Sequence, residues 1–404
     1  MYIASFSVRL IAFFSPKLKL FVKGRTTVFS YLKEHLTNAP NIIWVHTASL
    51  GEFEQGLPVI ESLKHNHPNY KILVTFFSPS GYEVKKNTPA ADFVTYLPLD
   101  THFNAEKFMA LTKPKLAIFV KYEIWPNYLR VLKQKNIPTL LISALFHKKQ
   151  IFFRSYGSFM KKSLLGFTHI FVQDEASKKL LATIGITETS IGGDTRFDRV
   201  LEIAERDNHL DFMTRFKGNE KCFVAGSTWP EDEAILISYI NSSPSTIKFV
   251  VAPHTIKKEA IQKLRSSLFK KTILYSELAG QELSDFDVLI VDTIGILTKI
   301  YSYADIAYVG GGFATGLHNT LEPAVFGIPV IIGPKYTGFK EAEELVAQKG
   351  IISICDTQSF TYEVNSLLNS PAYYNTTKEI NTAYISKNSG ATRQILVYIS
   401  TIIA

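Results

Sequence analysis

Cysteine is scarce: only Cys222 and Cys355 occur, each inside an apolar, strand-like run (KCFVAG and IISICD). Buried, reduced thiols are the expectation, and a disulfide framework is excluded. No CxxC or His/Cys cluster offers zinc a site, so no metal and no cofactor are expected. His65 and His67 form an HxH, but in a polar turn before Pro68, which reads as solvent-facing. No GKS or GKT follows a glycine loop, which excludes a P-loop. No G-x-G-x-x-G opens a first strand–helix unit, which excludes the dinucleotide fingerprint. Repeats of solenoid length and low-complexity stretches are also missing. Acid is in deficit: 36 Asp and Glu stand against 44 Lys and Arg, for a net charge of +8. That excess calls for an anionic partner, whether membrane headgroups, a phosphorylated substrate or nucleic acid. Nucleic acid is not expected, because no recognised module or basic-aromatic stripe is found.

Long hydrophobic runs are missing too. Met1 to Phe14 is apolar apart from Arg9, and Pro16 ends it. The run is too short to span a bilayer of about 30 Å, and it lacks the charged start and small-residue exit of a signal peptide. Two readings stand open. Residues 1–25 either lie in a membrane interface, with Lys17, Lys19, Lys23 and Arg25 toward lipid phosphates, or form an ordinary first helix packed on a domain.

What is present, in 404 residues that are 46% hydrophobic, is a pattern of strand, loop and helix, repeated in two series. The first has strand-like runs at 42–46, 71–77, 93–99, 115–121, 139–144 and 169–173. It breaks at a charged stretch, 195–220. The second has runs at 221–226, 247–253, 272–276, 286–292, 304–311, 328–333 and 350–356. Short apolar strands alternating with helices predict parallel sheets covered on both faces, hence an α/β protein of two Rossmann-like domains facing across a cleft. The expected divisions are residues 1–25, an N-terminal domain over 26–208, a C-terminal domain over 209–385 and a final helix over 386–404. Ligands of such sheets bind beyond the carboxyl ends of the strands.

Each candidate residue falls at such a strand end. Glu52, in HTASLGEFE, sits at a strand-to-helix turn after Ser49 and Gly51. A carboxylate there can take a proton from an incoming hydroxyl. It can equally cap the helix and complement its dipole. Glu54 is expected to face solvent. Glu123, in KYEIWPN, follows another strand and either orients Glu52, contacts an acceptor or supports the loop. In the second series, three glycines (Gly310 to Gly312) follow a strand, and a helix begins near His318 to Thr320. Glycines admit a ligand close to the backbone, and a helix start offers amides to a phosphate. Glu322 can accept two ribose hydroxyls. Ser227 and Thr228, Pro253 and His254, and Ile294, Gly295 and Ile296 lie at three further strand ends of the same series. Together they read as a nucleotide site, although each polar residue alone is a common cap or turn former.

These elements together resemble the Kdo (3-deoxy-manno-octulosonate) transferases of lipid A assembly. The order of matches runs through nearly the whole chain: Lys23-Gly24-Arg25, Ser49-Leu50-Gly51-Glu52, Glu123 to Asn127, Arg196-Phe197-Asp198, His318-Asn319-Thr320-Leu321-Glu322, Gly333-Pro334 and Phe339. The resemblance implies a GT-B glycosyltransferase with CMP-Kdo as donor and a lipid A precursor as acceptor. It implies Glu52 as general base, inversion by single in-line displacement, and a place at the cytoplasmic face of the bacterial inner membrane, peripheral or monotopic. CMP would sit against Pro253-His254, Ile294 to Ile296 and Asn319 to Glu322, with Gly311 and Gly312 beside the phosphate. The chain departs from the family's pattern at His254, where arginine is usual, at Ile296, where an acid is usual, at Phe313, where serine is common, and in GSTWPEDE, which lacks a glycine before its acidic pair. Two rival readings remain: a GT-B enzyme using a UDP-sugar, and a non-catalytic nucleotide-sugar binding protein.

Overall fold

The computed structural model describes residues 16–36, 39, 41–244, 246–314 and 316–403. The expectation for Met1 to Phe14 lies outside the described residues. The chain divides into two compact units. One is formed by the chain up to Arg199 together with the stretch from Asn388 onward, the other by Val200–Lys387.

The first unit holds seven strands: β1 (Ile42–Thr47), β2 (Lys71–Phe76), β3 (Phe93–Tyr96), β4 (Leu116–Val120), β5 (Thr139–Ala144), β6 (His169–Val172) and β7 (Thr189–Ile191). Their order is β3-β2-β1-β4-β5-β6-β7 and every pairing is parallel. Such strands are buried on both faces, so they read as continuous apolar runs. β7 is the exception: a three-residue edge strand of Thr, Ser and Ile carries no such run, and the sequence did not announce it. One face of the sheet is packed by Trp44, Phe108, Phe119 and Tyr128. On the other, Phe53, Leu57 and Ile60 of the helix Leu50–Asn66 meet Ile395 and Ile399 of the helix Ala391–Ser400. The last helix therefore completes the first unit's core. Asp198 fastens it there, its carboxylate accepting from the amides of Gly390 (2.5 Å) and Thr392 (2.6 Å).

The second unit also holds seven strands: β8 (Lys221–Thr228), β9 (Ile247–Pro253), β10 (Thr272–Leu274), β11 (Val288–Ile290), β12 (Ile306–Val309), β13 (Val330–Ile332) and β14 (Ile351–Ser353). Their order is β10-β11-β9-β8-β12-β13-β14, again all parallel. Six lie within their expected runs, and β8 extends its run by two residues to Thr228. Two Rossmann-like α/β domains in series make this a GT-B chain. The strand order reverses between β1 and β4 in the first unit and between β8 and β12 in the second, and such reversals open ligand crevices at the carboxyl edge.

Two expectations need correction. Cys222 is buried, and burial pushes its thiol up to about 12, but Cys355 is exposed just past β14. Arg25 does not face lipid. Its guanidinium donates to the carbonyls of Phe21 (3.0 Å), Phe77 (2.7 Å) and Leu97 (3.1 Å) and lies over the rings of Phe21 and Phe77. Burial lowers its pKa to about 10. The planar fork spreads its N–H groups over three carbonyls, wider than a single ammonium nitrogen spans. The preceding Gly24 lies against Tyr96, whose ring a Cβ would overlap. Gly24 and Arg25 thus fix the helix Pro16–Thr26 to the ends of β2 and β3.

Candidate active site

In the first unit, β1 and β4 deliver Glu52 and Glu123 to the two sides of the strand reversal. Ser49 is the N-cap of the helix Leu50–Asn66, and Glu52 closes a capping box with it. The amide of Ser49 donates to Glu52 Oε2 (2.9 Å), the Ser49 hydroxyl also donates to Oε2 (3.2 Å), and the Glu52 amide donates to Ser49 Oγ (3.4 Å). Capping alone would hold the carboxyl ionised. Burial, and next the charge of Glu123, outweigh it and push the Glu52 carboxyl up to about 7. The cap and the base are therefore not alternatives: the cap aims a carboxylate whose surroundings poise it to accept a proton near neutrality. Gly51 is exposed in the same turn. Glu54, expected to face solvent, is partly exposed and pairs with Lys85 (2.7 Å) and Arg199 (3.3 Å).

Glu123 is held firmly. Its Oε2 receives the N–H of Trp125 (2.7 Å) and faces Nε2 of the buried His46 (3.1 Å). Its loop leaves β4 through Lys121, which has φ +67°, a left-handed conformation uncommon for a residue with a side chain. Beyond it Pro126 starts a helix whose first amides, from Asn127 and Tyr128, donate to Asp100 (3.1 and 3.3 Å). Trp125, Pro126 and Asn127 all serve to fix this loop.

In the second unit the reversal lies between the ends of β8 and β12. Ser227, at a bulge ending β8, has φ +55°. Its carbonyl lies where any Cβ on Gly310 would fall, so the first glycine after β12 is required by packing. Gly311 follows with φ +94°. A buried carboxylate that sequence reasoning passed over, Asp232, organises the whole turn. It accepts from the Tyr308 hydroxyl (2.6 Å), the Gly311 amide (2.9 Å) and the Trp229 amide (2.9 Å). The only signal for it was an acid three residues beyond the N-cap of a helix that begins at Pro230.

Above this frame three rings stack. Trp229 and His254 lie 4.6 Å apart at 18°, and His254 and His318 lie 4.6 Å apart at 33°. Trp229 Nε1 donates to His318 Nε2 (3.1 Å). That nitrogen is thus an acceptor, so the ring carries its proton on Nδ1. Burial, with a contribution from His254, lowers the His318 pKa and keeps the ring neutral. His254 is the exposed member. The structure thus brings Ser227, Pro253, His254, Gly311, Gly312 and His318 to one edge of the sheet. Other expected residues make contacts within the fold. Thr228 is buried and donates to Glu233 (3.1 Å), and the Leu321 side chain is in the core. Thr320 is buried, and its hydroxyl has no partner among the described residues. Asn319 bridges the Leu321 amide and Glu322 (both 3.2 Å). Ile294, Gly295 and Ile296 occupy the loop after β11, with Ile294 88% exposed. No hydrogen bond or ring contact among the described residues ties that loop to the stack.

One surface segment that sequence reading did not single out combines basic and exposed aromatic residues. Between Glu123 and Asp174 no acidic residue occurs. Residues 145–166, which leave the carboxyl end of β5, carry Lys148, Lys149, Arg154, Lys161 and Lys162. They also expose Tyr156 (77%), Phe159 (66%) and Ile151.

Comparison with known proteins follows the same lines. The family model described as 3-Deoxy-D-manno-octulosonic-acid transferase (kdotransferase) matches residues 23–199. The 3-deoxy-D-manno-octulosonic acid transferase of Aquifex aeolicus is 33% identical over 325 residues, covering 79% of this chain and 83% of the relative. That of Haemophilus influenzae is 30% identical, covering 88% and 86%. Among solved structures, UDP-GlcNAc 2-epimerase from Neisseria meningitidis, bound to UDP-GlcNAc, superposes with TM-score 0.65 at 16% identity, over 89% of this chain and 100% of that one. That likeness is one of fold. The chain belongs to the 3-deoxy-D-manno-octulosonic acid (Kdo) transferase family of glycosyltransferases.

Proposed function

We propose that this protein transfers Kdo from CMP-Kdo to a hydroxyl of a lipid A precursor. Glu52 takes the proton of the attacking hydroxyl as the new C–O bond forms at the anomeric carbon. CMP departs from the opposite side, so the configuration inverts. The observation that carries this reading is the Glu52 carboxyl, aimed by its capping box at a strand reversal and raised to about 7. A base of that strength is half available at neutral pH and still strong enough to accept a proton. In the second unit the glycine turn framed by Asp232 and the stack of Trp229, His254 and His318 would receive the CMP phosphate. The Nδ1–H of His318 and the exposed edge of His254 offer donors where negative charge grows on the leaving group. Glu322 would accept the ribose hydroxyls.

The acceptor is an anionic amphiphile, and residues 145–166 fit a surface of the same chemistry. Their one-signed charge suits lipid phosphates, and exposed Tyr and Phe side chains suit the interfacial zone. Among the described residues no helix is long and apolar enough to cross a membrane. The reading is of a protein held peripherally or monotopically at the cytoplasmic face of the inner membrane.

The test is transfer from freshly generated CMP-Kdo to a tetra-acylated lipid A precursor, followed by mass spectrometry. A gain of one or more Kdo masses is expected. No gain from live donor, with turnover of a UDP-sugar instead, would overturn the donor assignment.

A further inference from the structure

The buried neighbourhood of Glu123 contains a complete line of hydrogen bonds that the proposed chemistry has not yet used. Trp44 Nε1 lies 2.8 Å from Thr75 Oγ1, Thr75 Oγ1 lies 2.8 Å from His46 Nδ1, and His46 Nε2 lies 3.1 Å from Glu123 Oε2. His46 is fully buried, with the rings of Trp44, Phe119 and Trp125 around it. With no solvent at hand, each proton must be accounted for within the protein.

The proton on His46 Nε2 is fixed from the Glu123 end. An indole N–H can only donate, so Trp44 gives its proton to the Thr75 oxygen. His46 Nδ1 lies 2.8 Å from that hydroxyl oxygen and 3.1 Å from the Thr75 carbonyl. Its Nε2 faces a carboxylate oxygen of Glu123, an acceptor, and so carries a proton. Trp125 supplies a second N–H to the same oxygen. His46 also sits on β1, the strand that ends at the Glu52 turn, whereas Glu123 follows β4.

We propose that His46 is a positioning residue for the transfer reaction: by donating from Nε2 it fixes the Glu123 carboxylate beside Glu52, and so sets the pH at which the base becomes available. This rests on the reading of Glu52 as base. The groups that bear on Glu52 are Glu123 and the amides and hydroxyl of Ala48 and Ser49; of these, only Glu123 raises it. If His46 stops holding Glu123, that carboxylate is free to swing away. This reduces the negative charge facing Glu52 and lowers the pH at which Glu52 ionises.

The experiment is the pH profile of kcat for Kdo transfer in wild type, His46→Leu, His46→Gln, Glu123→Gln and the double variant His46→Leu/Glu123→Gln. A glutamine amide can reach the place of Nε2 and keeps the donor, so His46→Gln is the conservative rescue. In His46→Leu the acidic limb should move down by at least half a pH unit and kcat should fall about tenfold or more, with KM for CMP-Kdo unchanged. His46→Gln should restore most of both. Glu123→Gln should move the limb the same way, and the double variant no further. A folded His46→Leu whose acidic limb stays at the wild-type pH would overturn the proposal, as would a loss that simply tracks thermal stability. Should His46→Leu not fold, ¹⁵N-histidine spectra of wild type and Glu123→Gln decide instead. The His46 signal, assigned by its loss in His46→Gln, must be of the Nε2–H form and must shift in Glu123→Gln; the Nδ1–H form, or no shift, overturns the proposal. Glu52→Gln separates the two ideas. If it transfers like wild type, the base reading fails; if it is dead while the His46 and Glu123 variants keep the wild-type limb, only the relay fails.

Discussion

Glu52 and Glu123 stand at the ends of β1 and β4, the neighbouring strands between which the first sheet reverses its order, and after burial the charge of Glu123 is what raises the Glu52 carboxyl to about 7. This has a stability consequence with a definite sign. Glu52 has a higher pKa folded than unfolded, so folding penalises its charged form. Its contribution is fully favourable below about 4.5 and is lost as pH rises through 7. Glu52→Gln removes the charge and keeps the capping box, since glutamine serves at that position as well as glutamate. The variant should lose transfer by a factor of at least about 10². It should nevertheless unfold a few degrees higher than wild type at pH 8 and at the same temperature at pH 4. A gain of about 1–2 kcal/mol at pH 8 is expected after discounting for partial solvent access. Differential scanning calorimetry at the two pH values checks this, and a variant less stable than wild type at pH 8 would contradict it.

Asp232 makes the second prediction. It is buried and takes three donors, among them the Gly311 amide that sets the glycine turn. Asp232→Asn turns one acceptor into a donor facing N–H or O–H groups. The turn should loosen and CMP affinity should fall by a factor of about 10 to 100, since each hydrogen bond to a buried charge contributes about 1.5–3 kcal/mol. Isothermal titration with CMP measures it, and unchanged affinity would show that the turn does not bind the nucleotide.

The sheets were legible because parallel strands buried on both faces must be apolar throughout. β7 was not, because three residues at an edge need no such run. Glu52 and Glu123 were legible as strand-end carboxylates, but the choice between cap and base was not, because the capping box and the raised pKa that suits a base belong to the same carboxyl. Asp232 escaped notice because its importance comes from Tyr308 and Gly311, far along the chain. Arg25 was misplaced for the opposite reason: a charge beside lysines reads as exposed until carbonyls from two strand ends are seen to claim it. The role of Asp198 likewise needs Gly390 and Thr392, brought back from the far end of the chain.

Arg25 and Gly24 give the third prediction. Gly24→Ala would drive a methyl group into the Tyr96 ring, and Arg25→Lys would keep charge but lose the fork that serves Phe77 and Leu97. Either change should free the helix Pro16–Thr26 from the ends of β2 and β3. Limited proteolysis should cut within residues 16–27 at least several-fold faster than in wild type, while CMP binding in the second unit stays intact. Equal cleavage rates would show that this helix is held by other contacts.

The last prediction concerns residues 145–166. An interfacial segment needs two things, apolar side chains that leave water and charges that meet lipid phosphates. Tyr156 and Phe159 supply the first with no packing to lose, being 77% and 66% exposed. Lys148, Lys149, Arg154, Lys161 and Lys162 supply the second, at about 1 kcal/mol per charge near an anionic surface. The segment is itself anchored, because Phe152, Leu164 and Phe167 are buried. Tyr156→Ser/Phe159→Ser should therefore leave the fold and CMP binding unchanged. Co-sedimentation with phosphatidylglycerol vesicles should drop on the order of tenfold. Charge reversal at Lys148 and Lys149 should do the same, and raised salt should weaken the wild type in parallel. If the double aromatic variant still sediments like wild type, the segment does not dock, and the lipid contact must be sought elsewhere on the protein.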